Sequence, residues 1–183
     1  MLLPDLSQFR PEVISYFNGI VIPLQPCAWT IGGVNPASVR HLYLSHSAME
    51  LICFLHFHPL ILSKPDNIAL GALGLHPDAL LVNSLALIYP NAKTHTVFTA
   101  DTIGKVSDCL VTLWLKRKTA WFLVEDEVLK IDYNGRRILI PEQDFSLSRF
   151  EKETGLRSGI HTHKPKRSFT SWAEMIKART CGL

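Results

Sequence analysis

The chain has 183 residues, 47% of them hydrophobic and 19% charged, with a net charge of +3. That is enough length and apolar material for one buried core, which excludes disorder as a description of the whole. The four cysteines, Cys27, Cys53, Cys109 and Cys181, lie far apart with no CxxC spacing, so neither a disulfide frame nor a zinc site is indicated.

Taken in chain order, residues 11–17 read as a short helix, with Pro11 at its first position and Asn18-Gly19 ending it. Residues 20–24 and 27–31 read as strands bounded by prolines and by Gly32-Gly33, and residues 39–44 as a third. Ser47 and Glu50 have capping-box spacing, which predicts a helix over 48–57. Residues 59–63 form a short apolar strand candidate, followed by a turn at 64–67. Pro77 opens a second helix to about residue 88, and 94–99 alternates like a half-buried strand.

Asp101 caps the clearest helix. Ile103, Val106, Leu110, Leu113 and Trp114 give it an apolar stripe, and Lys116-Arg-Lys118 complements its negative end. Residues 120–124 read as a buried strand. Two further strands, 128–133 and 136–140, flank Asn134-Gly135, a strong hairpin signal. A helix over 147–154 stops at Gly155, and Ser171 with Glu174 starts a last helix running to about residue 179. Interspersed helices and strands with an antiparallel hairpin predict a single α+β domain on a mixed sheet with the hairpin at its edge. The longest apolar stretches, 49–62 and 68–89, are broken by histidines, prolines and polar residues before reaching the ~20 apolar residues a membrane span needs. The first ten residues show no basic region ahead of an apolar one, so no secretory signal is read there and the expected location is cytoplasmic.

Charge is concentrated near the end of the chain. Between Arg157 and Arg179 six basic residues face one acid, Glu174, a local +5 inside a chain of +3. Hydroxyls, His161, His163, Phe169, Trp172 and Met175 are interleaved with the bases. That mixture suits a phosphate-bearing partner such as DNA or a nucleotide. The element is expected to work as a loop from Gly155 to Arg167 that delivers Lys164, Lys166 and Arg167 to a surface, tied down by the apolar stripe Trp172, Met175 and Ile176. Arg136 and Arg137 leave the hairpin turn as two planar donors able to fork onto phosphate.

Other constellations are weaker. His56-Phe-His58 and His161-Thr-His163 would each put two imidazoles on one face if extended, but no Cys, Asp or Glu follows at ligand spacing, so no metal site is read. Thr102-Ile-Gly-Lys105 is a superficial echo of a phosphate loop with its glycine inside a helix. Glu125-Asp-Glu127 reads as a solvated turn, although its carboxylates could hold a divalent cation. The expected chemistry is phosphate binding with cleavage or hydrolysis. Arg136 and Arg137 would neutralise charge, His161 would transfer a proton, and Arg136, Arg137, His163, Lys164, Lys166 and Arg167 would form the binding surface, with Mg²⁺ as helper. The competing expectation is a non-enzymatic inhibitor that docks a protein through the Phe169, Trp172, Met175 face.

The chain resembles plasmid fertility inhibition factors of the oncogenic suppression (Osa) type. The residues that carry the resemblance are the Met1-Leu-Leu-Pro-Asp5 opening, the Asn134-Gly-Arg-Arg137 hairpin and the segment His161-Thr-His-Lys-Pro-Lys-Arg-Ser-Phe169, together with the chain size. The resemblance implies a small cytoplasmic protein that blocks conjugative or T-DNA export, with a type IV secretion coupling ATPase as one target. It also implies a fold similar to ParB partition proteins and sulfiredoxin, with DNase and ATPase activity and hence Mg²⁺ and ATP. The chain departs from both relatives' motifs. Gly135 precedes Arg136-Arg137 directly where ParB proteins carry Gly-Glu-Arg-Arg, and Gly32-Gly33 is followed by Val34 where sulfiredoxin carries Cys-His-Arg.

Overall fold

The computed structural model describes residues 6–180; the Met1–Asp5 opening and Cys181 lie outside the described residues. A five-stranded mixed sheet forms the centre, built from β1 (Ala28–Gly32), β2 (His41–Ser45), β3 (Ile68–Leu73), β4 (Lys93–Thr96) and β8 (His161–Thr162) in the order β1-β3-β2-β4-β8. β2, β3, β4 and β8 run parallel, and β1 closes the sheet antiparallel to β3. Helices α1 (Pro11–Tyr16), α2 (Ala48–Phe57) and α6 (Trp172–Thr180) cover one face, where Tyr43 and Leu70 meet Leu51, Phe54 and Trp172. Helices α3 (Ala79–Ile88) and α4 (Thr102–Leu115) cover the other, where Leu42, Leu44 and Ala69 meet Val82, Leu85 and Val111. Period-two alternation along each strand sorts the side chains between these two cores.

A second, three-stranded antiparallel sheet holds β5 (Trp121–Glu125), β6 (Val128–Tyr133) and β7 (Arg136–Pro141). It packs Leu129, Ile131 and Ile140 with Phe145 and Phe150 around α5 (Leu147–Thr154), and the far side of α4 closes that core through Cys109 and Leu113. The hairpin does turn at Asn134-Gly135, both with positive φ, but it belongs to this separate sheet and not to the edge of the mixed one. The result is one α+β domain. Gly155, at φ 71°, ends α5 in the left-handed conformation that glycine adopts without a Cβ clash.

Several local expectations change in the folded chain. Residues 20–24 form no strand, because Pro23 and Pro26 punctuate the run, and residues 59–63 form a 3₁₀ helix opened by Pro59. β3 is a strand that no alternation announces, since all six of its residues are buried between two helical layers. β5 is a strand but not a buried one, with Trp121 82% exposed and Leu123 58% exposed.

The α4 stripe is buried only in part: Leu113 is fully buried, and Val106, Leu110 and Trp114 are half-buried. Ile103 is exposed, while Ser107, Asp108, Val111 and Thr112 face inward. The helix can bury those polar groups because each finds a partner within the fold. Ser107 meets His46 and the Ile103 carbonyl, Asp108 meets Lys164, and the Thr112 hydroxyl donates to the Asp108 carbonyl. Gly104 is required by proximity, for a Cβ there would lie 2.0 Å from the Thr99 carbonyl oxygen.

Candidate phosphate-binding cleft

The basic C-terminal segment is held more firmly than a loop. β8 adds to the edge of the sheet beside β4, with His95 opposite His161 and Thr96 opposite Thr162. The His163 amide then donates to the Thr96 carbonyl at 2.7 Å. Strand alternation sends successive side chains to opposite faces. His161 and His163 therefore join the α2/α6 side, and Lys164 passes through to the α4 side.

Lys164 is committed there. Its ammonium lies 2.8 Å from the Asp108 carboxylate and donates to the Thr99 carbonyl at 2.8 Å, a buried pair that ties the segment to α4. Burial pushes the Asp108 carboxyl above its ordinary range, against the pull of Lys164. On the other face Glu50 anchors α6, accepting from the amides of Trp172 at 2.9 Å and Ala173 at 3.3 Å. Ser47 caps α2 as its spacing predicts, but the Glu50 carboxylate serves the N-terminus of α6 and not its own helix.

Between the end of α2, β8 and α6 lies a cleft of about 520 Å³, lined by Phe57, His58, His163, Lys166 and Arg179 over a floor of Trp172 and Met175. Lys166 and Arg179 are exposed, and the Arg179 guanidinium sits over the Phe57 ring at 4.8 Å. Among the described residues no carboxylate lines the cleft. The expected docking face of α6 is not available, because Trp172 and Met175 are buried against α2 and Phe169 packs beside them.

An imidazole ladder leads into this cleft. His41 Nδ1 lies 3.0 Å from His95 Nε2, and His95 Nδ1 lies 3.0 Å from His163 Nε2, so the ladder runs from the central strand β2 across β4 to the cleft wall. His95 is sandwiched between the rings of Tyr43 at 4.6 Å and His161 at 5.1 Å. Burial, reinforced by the neighbouring His163, His41 and His161, pushes His95 down to about 3. Burial, with His58 and His161 alongside, pushes His163 down to about 4. Partial burial also lowers His58. His163 and His95 are therefore neutral at pH 7.

The expected phosphate-binding residues are thus divided among several places. His163 and Lys166 line the cleft, Arg167 is exposed on the adjoining turn, and His161 is exposed on the strand beside it. Lys164 borders the cleft with its ammonium turned to Asp108. Arg136 and Arg137 lie on β7 in the other sheet and line none of it, and Arg137 is forked onto Asp132 at 2.9 and 3.2 Å. Sequence reasoning missed His58, His95 and Arg179 as cleft and ladder residues. His95 carried no signal beyond being a polar residue on an inward strand position.

The two His-x-His pairs do not behave alike. His56 is buried in α2, where its Nδ1 accepts the Arg10 amide at 3.1 Å, while His58 lies beyond the helix end in the cleft. Among the described residues no three His, Cys, Asp or Glu side chains converge to hold a metal ion. Cys27, Cys53 and Cys109 are free thiols. No helix among the described residues is long and apolar enough to cross a membrane. Compared with models of known protein families, with curated proteins and with solved structures, the chain matches none.

Proposed function

We propose that this protein binds the phosphate groups of DNA or a nucleotide in the cleft between α2, β8 and α6, and that this binding serves the inhibition of conjugative or T-DNA export implied by the resemblance to Osa-type factors. The carrying observation is the cleft's composition: Lys166 and Arg179 at its rim, His58 and His163 in its wall, and no carboxylate among its described residues. Exposed cations beside neutral imidazoles attract a phosphate without a like charge to repel it, and an imidazole that gains a proton on binding adds to the attraction. The buried Trp172 serves as floor, so recognition falls on the phosphate and not on base stacking.

A resident Mg²⁺ does not fit these residues, because the described lining of the cleft offers no carboxylate oxygen. Occupancy of phosphate is therefore the reading favoured over DNase or ATPase chemistry. The hydrolytic reading, with His161 as proton-transfer group and Arg136 and Arg137 neutralising charge, needs groups that stand on two different sheets.

The test is a salt titration of binding to a fluorescent single-stranded oligonucleotide and to ATP. Lys166→Ala/Arg179→Ala is expected to weaken binding and to lower the salt slope by about 1 for each phosphate no longer neutralised. Arg136→Ala/Arg137→Ala is expected to leave both unchanged. Equal affinity and slope in wild type and Lys166→Ala/Arg179→Ala would overturn the proposal. In cells, expression of wild type but not of that cleft variant is expected to lower plasmid transfer from the same donor.

A further inference from the structure

A groove runs the length of α4 between that helix and β5. Near the start of the helix it is walled by Ile103, Val106 and Leu110 against Phe122 and Val124, and near the end by Leu110 and Trp114 against Ala120 and Trp121. The two halves, about 330 and 520 Å³, share Val106, Leu110 and Phe122, so they form one apolar channel. Trp121, Ile103 and Val124 are exposed along it, a cost that a water-facing surface avoids unless the residues are used.

The outer wall of this channel is an edge strand. Among the described residues β5 pairs only with β6, through a turn at Asp126-Glu127 with φ of 52° and 59°. In such a two-residue turn the flanking pair, here Glu125 and Val128, is the hydrogen-bonded one. Bonded and non-bonded pairs then alternate, so Leu123 and Trp121 turn their backbone groups toward β6 while Phe122 and Val124 turn theirs outward. No other backbone group among the described residues meets the amides or carbonyls of Phe122 and Val124. Edge strands are usually blunted by prolines or by lysines on the strand itself, and β5 has neither.

The end of the groove at the C-terminus of α4 is basic. Lys116, Arg117 and Lys118 follow Trp114 and Leu115, Lys116 and Arg117 are exposed, and Lys118 is occupied by the Tyr133 hydroxyl at 3.0 Å.

We infer that β5 and α4 form a docking groove for an extended peptide segment of a partner protein. The segment adds a strand to β5 through Phe122 and Val124, seats alternate large apolar side chains between β5 and α4, and places an acidic residue near Lys116 and Arg117. Backbone complementarity sets the extended form, the period-two spacing sets which side chains enter, and the basic end sets the charge. The site shares no residue with the phosphate cleft, so it stands or fails independently of the proposed function.

The probe is a phage-displayed library of ten-residue peptides selected on the full chain, after which the most enriched peptide is synthesised and titrated by fluorescence anisotropy. The expected peptide carries large apolar residues at alternate positions and an acid toward one end. Val124→Pro removes an outward amide while sparing the β5–β6 bonds, and it is expected to weaken binding about 10-fold or more. Lys116→Gln/Arg117→Gln is expected to weaken it several-fold and to abolish its salt dependence. A second measurement leaves the protein intact: N-methylation of alternate peptide amides is expected to destroy binding in one phase of the alternation and spare it in the other. No enrichment, or equal binding of both N-methylated phases, would overturn the inference. So would a dimer in sedimentation that Val124→Pro dissolves, which would assign the edge to a second copy of this chain.

Discussion

Asp108 and Lys164 are the residues on which the C-terminal segment depends. Asp108 is almost fully inaccessible and Lys164 largely so, and removing one member of such a pair leaves the other charge buried without compensation. Lys164→Met is therefore expected to cost about 3–5 kcal/mol in urea unfolding, with Asp108→Asn/Lys164→Met recovering part of the loss. A loss under about 1 kcal/mol would show the pair to be solvated. The histidines set the pH dependence. His46 and His163 lie at about 4 and His95 at about 3 in the fold, against an ordinary 6.5. Their folded values are depressed, so the unfolded chain binds the extra protons between 6.5 and 3–4. Stability from these groups is complete above pH 6.5 and falls as the pH drops through that window, while the raised carboxyls of Glu50 and Asp108 oppose the fall at its acidic end. Urea midpoints measured from pH 7.5 to 4.5 are expected to decline, and His95→Gln is expected to flatten that decline. An unchanged slope in His95→Gln would contradict the ladder's neutrality.

The elements explain what the sequence could and could not convey. Caps and turns are local chemistry, so Ser47, Asp101 and Gly155 mark helix boundaries that the structure keeps, while α3 starts after an Asp78 cap and not at Pro77. Burial by a distant layer leaves no local mark. β3 is an unbroken apolar run because helices cover both its faces, and β8 is two residues recruited by the edge of β4. The α4 stripe is buried only in part, with Ile103 left exposed, because the helix also buries serine, threonine and aspartate on partners that lie 4 to 61 residues away in the chain. For α6 the apolar spacing led to the right result: Trp172, Met175 and Ile176 are all buried against α2. Trp172→Ala is expected to cost about 3–5 kcal/mol of stability and to weaken phosphate binding with every basic residue still present. Glu50→Ala, which leaves the first amides of α6 without their acceptor, is expected to cost about 1–3 kcal/mol. Calorimetric melting of both variants checks this, and a wild-type melting temperature for Trp172→Ala would mean that α6 is not a structural anchor.

At the scale of the whole molecule, the local +5 of the C-terminal segment was readable as a charge count, but its direction was not. The fold sends Lys164 through the sheet into a buried pair, leaves Lys166 and Arg179 at the cleft, and puts Arg136 and Arg137 on a separate sheet. Only a three-dimensional arrangement could bring His58 from the end of α2 and His95 from β4 to the same place as His163. Where the phosphate sits therefore matters more than whether the chain is basic. That location is read by mapping backbone amide chemical shifts of the full chain while a short single-stranded oligonucleotide is titrated in. Perturbations are expected to concentrate at residues 57–58, 162–167 and 172–179, with the hairpin at 134–137 unmoved. Perturbations centred on Arg136 and Arg137, or none at saturating oligonucleotide, would contradict a phosphate site in the α2/β8/α6 cleft.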